Sequence, residues 1–157
     1  MPLQEALERI LATAIPSAEI EQRPLLGALG AVLAEDVVSG IDVPLDDNSA
    51  MDGYALRFED LPGPLPISQR IAAGSVGKPL QPETAARIFT GASVPRGANT
   101  VVMQENCSVQ DGVLKVHSAV EPAQNIRLRG QDITAGALVL AAGRRLRPQD
   151  LGLLVSV

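Results

Sequence analysis

The sequence predicts an α+β fold, with a β-rich, barrel-like region inserted into a helix-containing domain. Three observations carry that expectation. Helical periodicity is confined to the two ends of the 157-residue chain, prolines and glycines punctuate the middle, and short apolar runs separated by turn residues fill it. An insertion produces this order of helix, β-rich middle and helix; an ordinary α+β single domain is the alternative.

From Pro2 to Ile15 the residues Leu3, Ala6, Leu7, Ile10, Leu11 and Ala14 recur at spacings of three and four, with Glu5 and Arg9 paired on the outer side. The expected element is an amphipathic helix that stops near Pro16. A second short helical pattern, Leu25 to Leu33, is weakened by Gly27 and Gly30 and leads into Asp36-Val37-Val38, which reads as a strand. Past Ile41 no helical period survives for more than a turn. The expected strands there are Ile67 to Ala72, Ala86 to Phe89, Thr100 to Gln104, Cys107 to Gln110 and Val113 to Val116. The last two flank Asp111-Gly112, a pair suited to a type I′ turn because both of its central positions need positive φ. Short strands of this kind suggest a small barrel or sandwich. Ala137 to Ala141 alternates weakly, and Pro148 then opens an apolar helix in the manner of a first-turn proline. That helix reaches Val157 without a glycine cap or a basic last turn, so Val157 reads as a truncation boundary.

Composition narrows the function classes. With 46% hydrophobic residues but one Tyr, two Phe and no Trp, the core must be aliphatic. Thirteen Lys and Arg against 18 Asp and Glu give a net charge of -5, which repels a polyanion, and no aromatic platform is present for stacking bases. Nucleic acid is therefore not an expected partner. Cys107 is the sole cysteine and His117 the sole histidine, which excludes an internal disulfide and a zinc site, and fits a reducing, cytosolic setting. No apolar run has the length of a membrane span and no signal-peptide pattern opens the chain. A soluble, cytoplasmic protein is the expectation.

Three constellations could carry chemistry. Asp42, Asp46, Asp47 and Asp52 fall within eleven positions, interleaved with Asn48 and Ser49 and closed by Gly53. Such a loop offers hard oxygens to a cation such as magnesium, which uses one or two carboxylates together with phosphate and water. The same residues form turns, and on composition alone a pair of turns is the stronger reading. In the second constellation, Arg87 to Glu105, an expected strand enters the turn Thr90-Gly91-Ala92-Ser93 and leaves into another strand. Thr90 and the Gly91 backbone could present donors to an anion, although turn glycines explain Gly91 and Gly97 equally well. The third is Gln124 to Ile133. Arg127 and Arg129 would share a strand face and grip phosphate or carboxylate, or would pair internally with Asp132 or Glu121. His117 and Cys107 lack catalytic partners, and Arg144, Arg145 and Arg147 read as a solvated basic cluster.

In this order the three constellations resemble the signature of the molybdopterin molybdenumtransferase family, the MoeA/gephyrin group. The matching pieces are Asp47-Asn48-Ser49-Ala50-Met51-Asp52-Gly53-Tyr54-Ala55, then Thr90-Gly91-Ala92 with Val101-Val102-Met103-Gln104-Glu105, then Asn125-Ile126-Arg127 with Arg129-Gly130 and Asp132-Ile133. The similarity extends over essentially the whole chain. It departs from the usual pattern at Leu45, Asn99 and Gln131, where an aromatic, Asp and Glu are common. The resemblance implies an N-terminal fragment made of an elongated domain, residues 1–45 and 134–157, carrying an inserted β-rich domain, residues 46–133. The implied activity is insertion of molybdate into adenylated molybdopterin with magnesium-dependent release of AMP, in molybdenum cofactor biosynthesis. Homodimerisation is also implied, with the molybdopterin adenylyltransferase as a possible partner. Carried over by position, Asp52, Thr90 and Asp132 would be catalytic, with Asp52 the metal ligand, and Ser49, Gly91 and Arg127 would contact the cofactor. The fragment would be inactive alone because the rest of the cleft lies elsewhere. A non-catalytic scaffold or dimerisation module of the gephyrin-like type is the second reading.

Overall fold

The computed structural model describes residues 2–14 and 19–157. Helix α1 spans Leu3–Ala12, and its surface pair forms as the spacing predicts, with Arg9 Nη2 donating to Glu5 Oε1 at 2.8 Å. The expected stop at Ile15 and Pro16 lies outside the described residues. No residue of α1 is buried, so its apolar stripe of Leu3, Leu7, Ile10 and Leu11 faces solvent. The helical pattern from Leu25 to Leu33 is corrected to a single 3-10 turn, Leu25–Gly27. Gly30 at φ +78° then turns the chain out of the helical region.

Ten strands follow: β1 (Val37–Val38), β2 (Asn48–Ser49), β3 (Gly53–Leu56), β4 (Leu65–Ile71), β5 (Ala85–Ile88), β6 (Thr100–Met103), β7 (Cys107–Gln110), β8 (Val113–Val116), β9 (Ile126–Arg127) and β10 (Leu138–Leu140). Six of them form one sheet in the order β6-β3-β5-β4-β8-β7. It is mostly antiparallel, but β4 and β5 run parallel, which the chain achieves by crossing over between Ile71 and Ala85. The sheet is a half-barrel that ends at β6 and β7. The hairpin of β7 and β8 forms at the predicted place, with Asp111 at φ +53° and Gly112 at φ +77°.

The centre of the sheet, β3 with β5 and β6, is buried on both faces. Alternation along β3 and β6 sends Ala55 and Val101 to one aliphatic cluster with Ile71, Ala86 and Ile88, and Tyr54, Leu56 and Val102 to another with Leu65 and Leu114. The whole of β3 is therefore enclosed. This corrects the reading of the acidic segment as a loop that Gly53 closes, since Gly53 opens a strand. A central strand flanked on both sides loses the polar alternation that would have marked it, and Asp52-Gly53 masks its start.

The flanks of the sheet meet each other. β1 pairs with β10, and isolated bridges join Val32 to Arg145 and Val43 to Ile133. Helix α2, Pro148–Val155, starts at the predicted proline. Its Asp150 side chain is buried and accepts from Arg144 Nη2 at 2.7 Å and from the Arg147 N–H at 2.9 Å, while Arg145 Nε donates to Gly30 O at 3.2 Å. The basic cluster is thus not merely solvated: all three arginines are tied to the fold. Asp42 stitches the same region, taking the Ala135 N–H at 2.8 Å and Arg129 Nε at 2.6 Å.

The Arg144 guanidinium, helped by the Arg147 N–H, holds Asp150 far below the usual carboxylate range. The Ala135 N–H, followed by Arg129, holds Asp42 below it. A folded-state pKa lowered in this way contributes stability that is present above the unfolded value and lost as pH falls. Denaturation midpoints are expected to hold steady from neutrality down to pH ~5 and to fall below pH ~4. Asp42→Asn should flatten that decline; an equally steep acid limb in the variant would show that Asp42 does not contribute to it.

Candidate functional site

Three of the four aspartates of the acidic segment have separate hydrogen-bond partners. Asp42 binds Ala135 and Arg129, as described above. Asp47 Oδ1 accepts the Arg129 N–H at 2.7 Å. Asp52 Oδ1 accepts both the N–H and the hydroxyl of Thr90, at 2.9 and 2.8 Å. Among the described residues no three His, Cys, Asp or Glu side chains gather closely enough to hold a metal ion. The Asp52–Thr90 clasp leaves Oδ2 of Asp52 without a hydrogen bond among the described residues.

Strand β2 brings the three constellations together. On one side Ser49 N–H donates to Ala92 O at 2.9 Å and Gly91 N–H to Ser49 O at 2.8 Å, and Asn48 bridges to Ser93. On the other, Asn48 pairs with Arg127 and Ser49 with Ile126, and the Ala50 N–H donates to Asn125 O at 2.9 Å. Segments near residues 48, 91 and 126 therefore form one hydrogen-bonded array. The turn after β5 lies on one side of β2 and β9 on the other.

Local chemistry shapes each position. Ser49 is 1% exposed, and its hydroxyl donates to Met51 O at 2.6 Å, closing the turn that delivers Asp52. Gly91 sits at φ +79°, a conformation that favours glycine. Arg127 forms an ion pair with Asp132, both side chains about half exposed. Arg129 does not share a strand face with it, because β9 ends at Arg127 and Gly130 at φ +68° turns the chain toward Asp42. The Thr90 N–H, then its hydroxyl, and more weakly the Arg87 charge hold the Asp52 carboxyl below its ordinary range. At neutral pH the clasp thus presents an anionic carboxylate oxygen at the surface.

Arg87 and Gln104 belong to this site although neither carries a role in the sequence reading. Arg87 Nη1 donates to Gly53 O at 2.8 Å, Nη2 donates to Gln104 Oε1, and the Gln104 N–H donates to Asp52 O at 3.1 Å. The signal was the position of both residues within the second constellation, at the strand ends that flank Thr90. Two departures from the usual pattern have structural counterparts. Asn99 Nδ2 donates to Glu59 at 2.9 Å while its Oδ1 accepts the Phe58 N–H, a dual role closed to Asp. Gln131 Oε1 accepts the Leu128 N–H at 3.0 Å. His117 pairs with Ser108, and burial pushes the Cys107 thiol up to about 11, which suits neither for nucleophilic work.

The family model described as MoeA N-terminal region (domain I and II) matches residues 1–157. A molybdopterin molybdenumtransferase of Haemophilus influenzae is 39% identical over 163 residues, covering 100% of this chain and 40% of its own length. Molybdopterin molybdenumtransferase 2 of Mycobacterium tuberculosis is 41% identical over 142 residues, covering 85% of this chain and 35% of its own. The crystal structure of the molybdopterin biosynthesis MoeA protein from Pyrococcus horikoshii superposes with a TM-score of 0.90 at 38% identity, over 98% of this chain and 43% of that one. This chain spans about two fifths of the length of such relatives.

Proposed function

The chain belongs to the MoeA N-terminal family, and from that premise we propose that it is the N-terminal part of a molybdopterin molybdenumtransferase. The reaction is insertion of molybdate into adenylated molybdopterin with magnesium-dependent release of AMP, in molybdenum cofactor biosynthesis in the cytoplasm. The observation that carries the reading is the Asp52–Thr90 clasp beside the Arg127–Asp132 pair, with β2 joining the two. It supplies an anionic oxygen and a guanidinium on one array, held in place by the Thr90 N–H and hydroxyl on Asp52 Oδ1 and by the Gly91 N–H on Ser49 O.

Magnesium fits as a partial site. Asp52 Oδ2 offers one hard oxygen, and this cation completes its shell with phosphate oxygens and water. When bound, it would neutralise charge on the adenylate phosphate. Asp52 orients the cation or its water, Thr90 and Gly91 border the oxyanion, and Arg127 and Asp132 meet polar groups of the phosphate or pterin. Ser49 holds the turn that aims Asp52. Residues 46–133 act as the β-rich domain, and 1–45 with 134–157 as the elongated one, a division supported by the pairing of β1 with β10. The site is one wall of a cleft completed by residues outside this chain in a homodimer. The exposed apolar stripe of α1 is consistent with such an assembly. The molybdopterin adenylyltransferase is the partner that would deliver the substrate. The fragment alone is inactive on this reading.

Full-length protein supplied with adenylated molybdopterin, molybdate and magnesium should release AMP as molybdenum is inserted. Thr90→Val, which keeps the shape and removes the hydroxyl, should slow that release about tenfold. Absence of AMP release from the unmodified protein, with magnesium and AMP leaving the Asp52 resonances unmoved, would instead favour a non-catalytic scaffold or dimerisation module.

A further inference from the structure

The clasp between Asp52 and Thr90 belongs to a closed ring of contacts that passes through one guanidinium. From Asp52 the ring runs through its carbonyl to the Gln104 N–H at 3.1 Å, and from Gln104 Oε1 to Arg87 Nη2. Arg87 Nη1 then donates to Gly53 O at 2.8 Å and to Ile88 O at 3.1 Å. Its guanidinium carbon lies 4.4 Å from the Phe89 ring centroid and 5.2 Å from that of Tyr54. Phe89 is followed by Thr90, whose N–H and hydroxyl return to Asp52 Oδ1. Three of these contacts join the same planar cation to residues just after or before the clasp. Gly53 follows Asp52, and Ile88 and Phe89 precede Thr90.

We propose that Arg87 is the positioning residue for the Asp52–Thr90 clasp, a bracket that fixes the start of β3 against the end of β5 so that Asp52 Oδ2 faces outward. The assignment rests on Asp52 being the group that meets substrate. The chemistry requires arginine. Its fork reaches two carbonyls and a side-chain amide while lying over two aromatic rings. A lysine at the same place keeps the charge but has one nitrogen, which cannot span Gly53, Ile88 and Gln104 together.

The bracket is local, and that makes it testable. Hydrogen exchange in this chain should show the Thr90 amide exchanging about tenfold faster in Arg87→Lys and Arg87→Gln, with the amides of β6 and β8 unchanged. Gln104→Ala breaks the ring at an exposed side chain, so it should act in the same direction even where an Arg87 variant folds poorly. Arg70→Ala removes the second cation over Phe89, 4.6 Å from its centroid, without touching a hydrogen bond of the ring, and should leave Thr90 exchange as it is. In full-length protein, Arg87→Lys should lower kcat for molybdenum insertion about tenfold with KM for adenylated molybdopterin within about twofold. Unchanged Thr90 exchange in both Arg87→Lys and Gln104→Ala, or acceleration spread evenly over the sheet, would overturn the assignment. So would a raised KM with unchanged kcat. Exchange reports on the clasp whether or not the protein handles molybdate. An inactive unmodified enzyme would therefore count against the functional reading alone.

Discussion

Asp52→Asn in the full-length protein is expected to leave folding intact and to lower molybdenum insertion about a hundredfold or more. The amide oxygen of asparagine can still accept from the Thr90 N–H and hydroxyl, which now meet Asp52 Oδ1 at 2.9 and 2.8 Å, so the clasp keeps its shape. Only the negative charge disappears. That charge is maintained at neutral pH by the same Thr90 donors, with Arg87 adding to them, and its remaining oxygen is the one free to meet a cation or its water. The discriminating measurement is insertion rate against magnesium concentration, with thermal unfolding in parallel. An unchanged rate with unchanged magnesium dependence would remove Asp52 from the site.

Gly53→Ala should act on the fold itself, destabilising by about 3 kcal/mol or more. A β-carbon at Gly53 would lie 2.0 Å from the Val102 carbonyl oxygen, 2.9 Å from its carbon and 3.2 Å from Met103 Cα, all backbone atoms of the neighbouring strand β6. No side-chain rotamer relieves such a clash, and β3 is hydrogen-bonded on its other side to β5. Gly91 provides the contrast. It sits at φ +79° with nothing within 4 Å of an added β-carbon, so Gly91→Ala should cost only the strain of that conformation, about 1–2 kcal/mol. Urea denaturation of the two variants tests the difference. If Gly53→Ala proved no worse than Gly91→Ala, the close approach of β3 to β6 would not be the reason for glycine there.

Much of the framework was legible because it obeys short-range rules. The hairpin at Asp111-Gly112, the proline start of α2 and the i,i+4 pair on α1 each depend on residues within a few positions of one another. Two failures have the same root. The pattern at Leu25 to Leu33 had helical spacing, but Gly30 bonds across the chain to Leu146 O, and that long-range contact prevailed over weak local propensity. β3 was read as a loop because a strand buried on both faces shows no alternation.

The sequence by itself determined the family signature, whose motif order picks out Asp52, Thr90 and Arg127 as candidates, and where most strands and both helices lie. Only the tertiary structure decided what each charged group does. Four aspartates within eleven positions look equivalent in sequence. In the fold Asp42 reaches Ala135, Asp47 reaches Arg129 and Asp52 reaches Thr90, partners 38 or more positions away. The physical reason is the range of a carboxylate's preferences. Any nearby N–H, hydroxyl or guanidinium satisfies it, so its partner is set by the path of the backbone through β2 and the parallel crossover of β4 and β5.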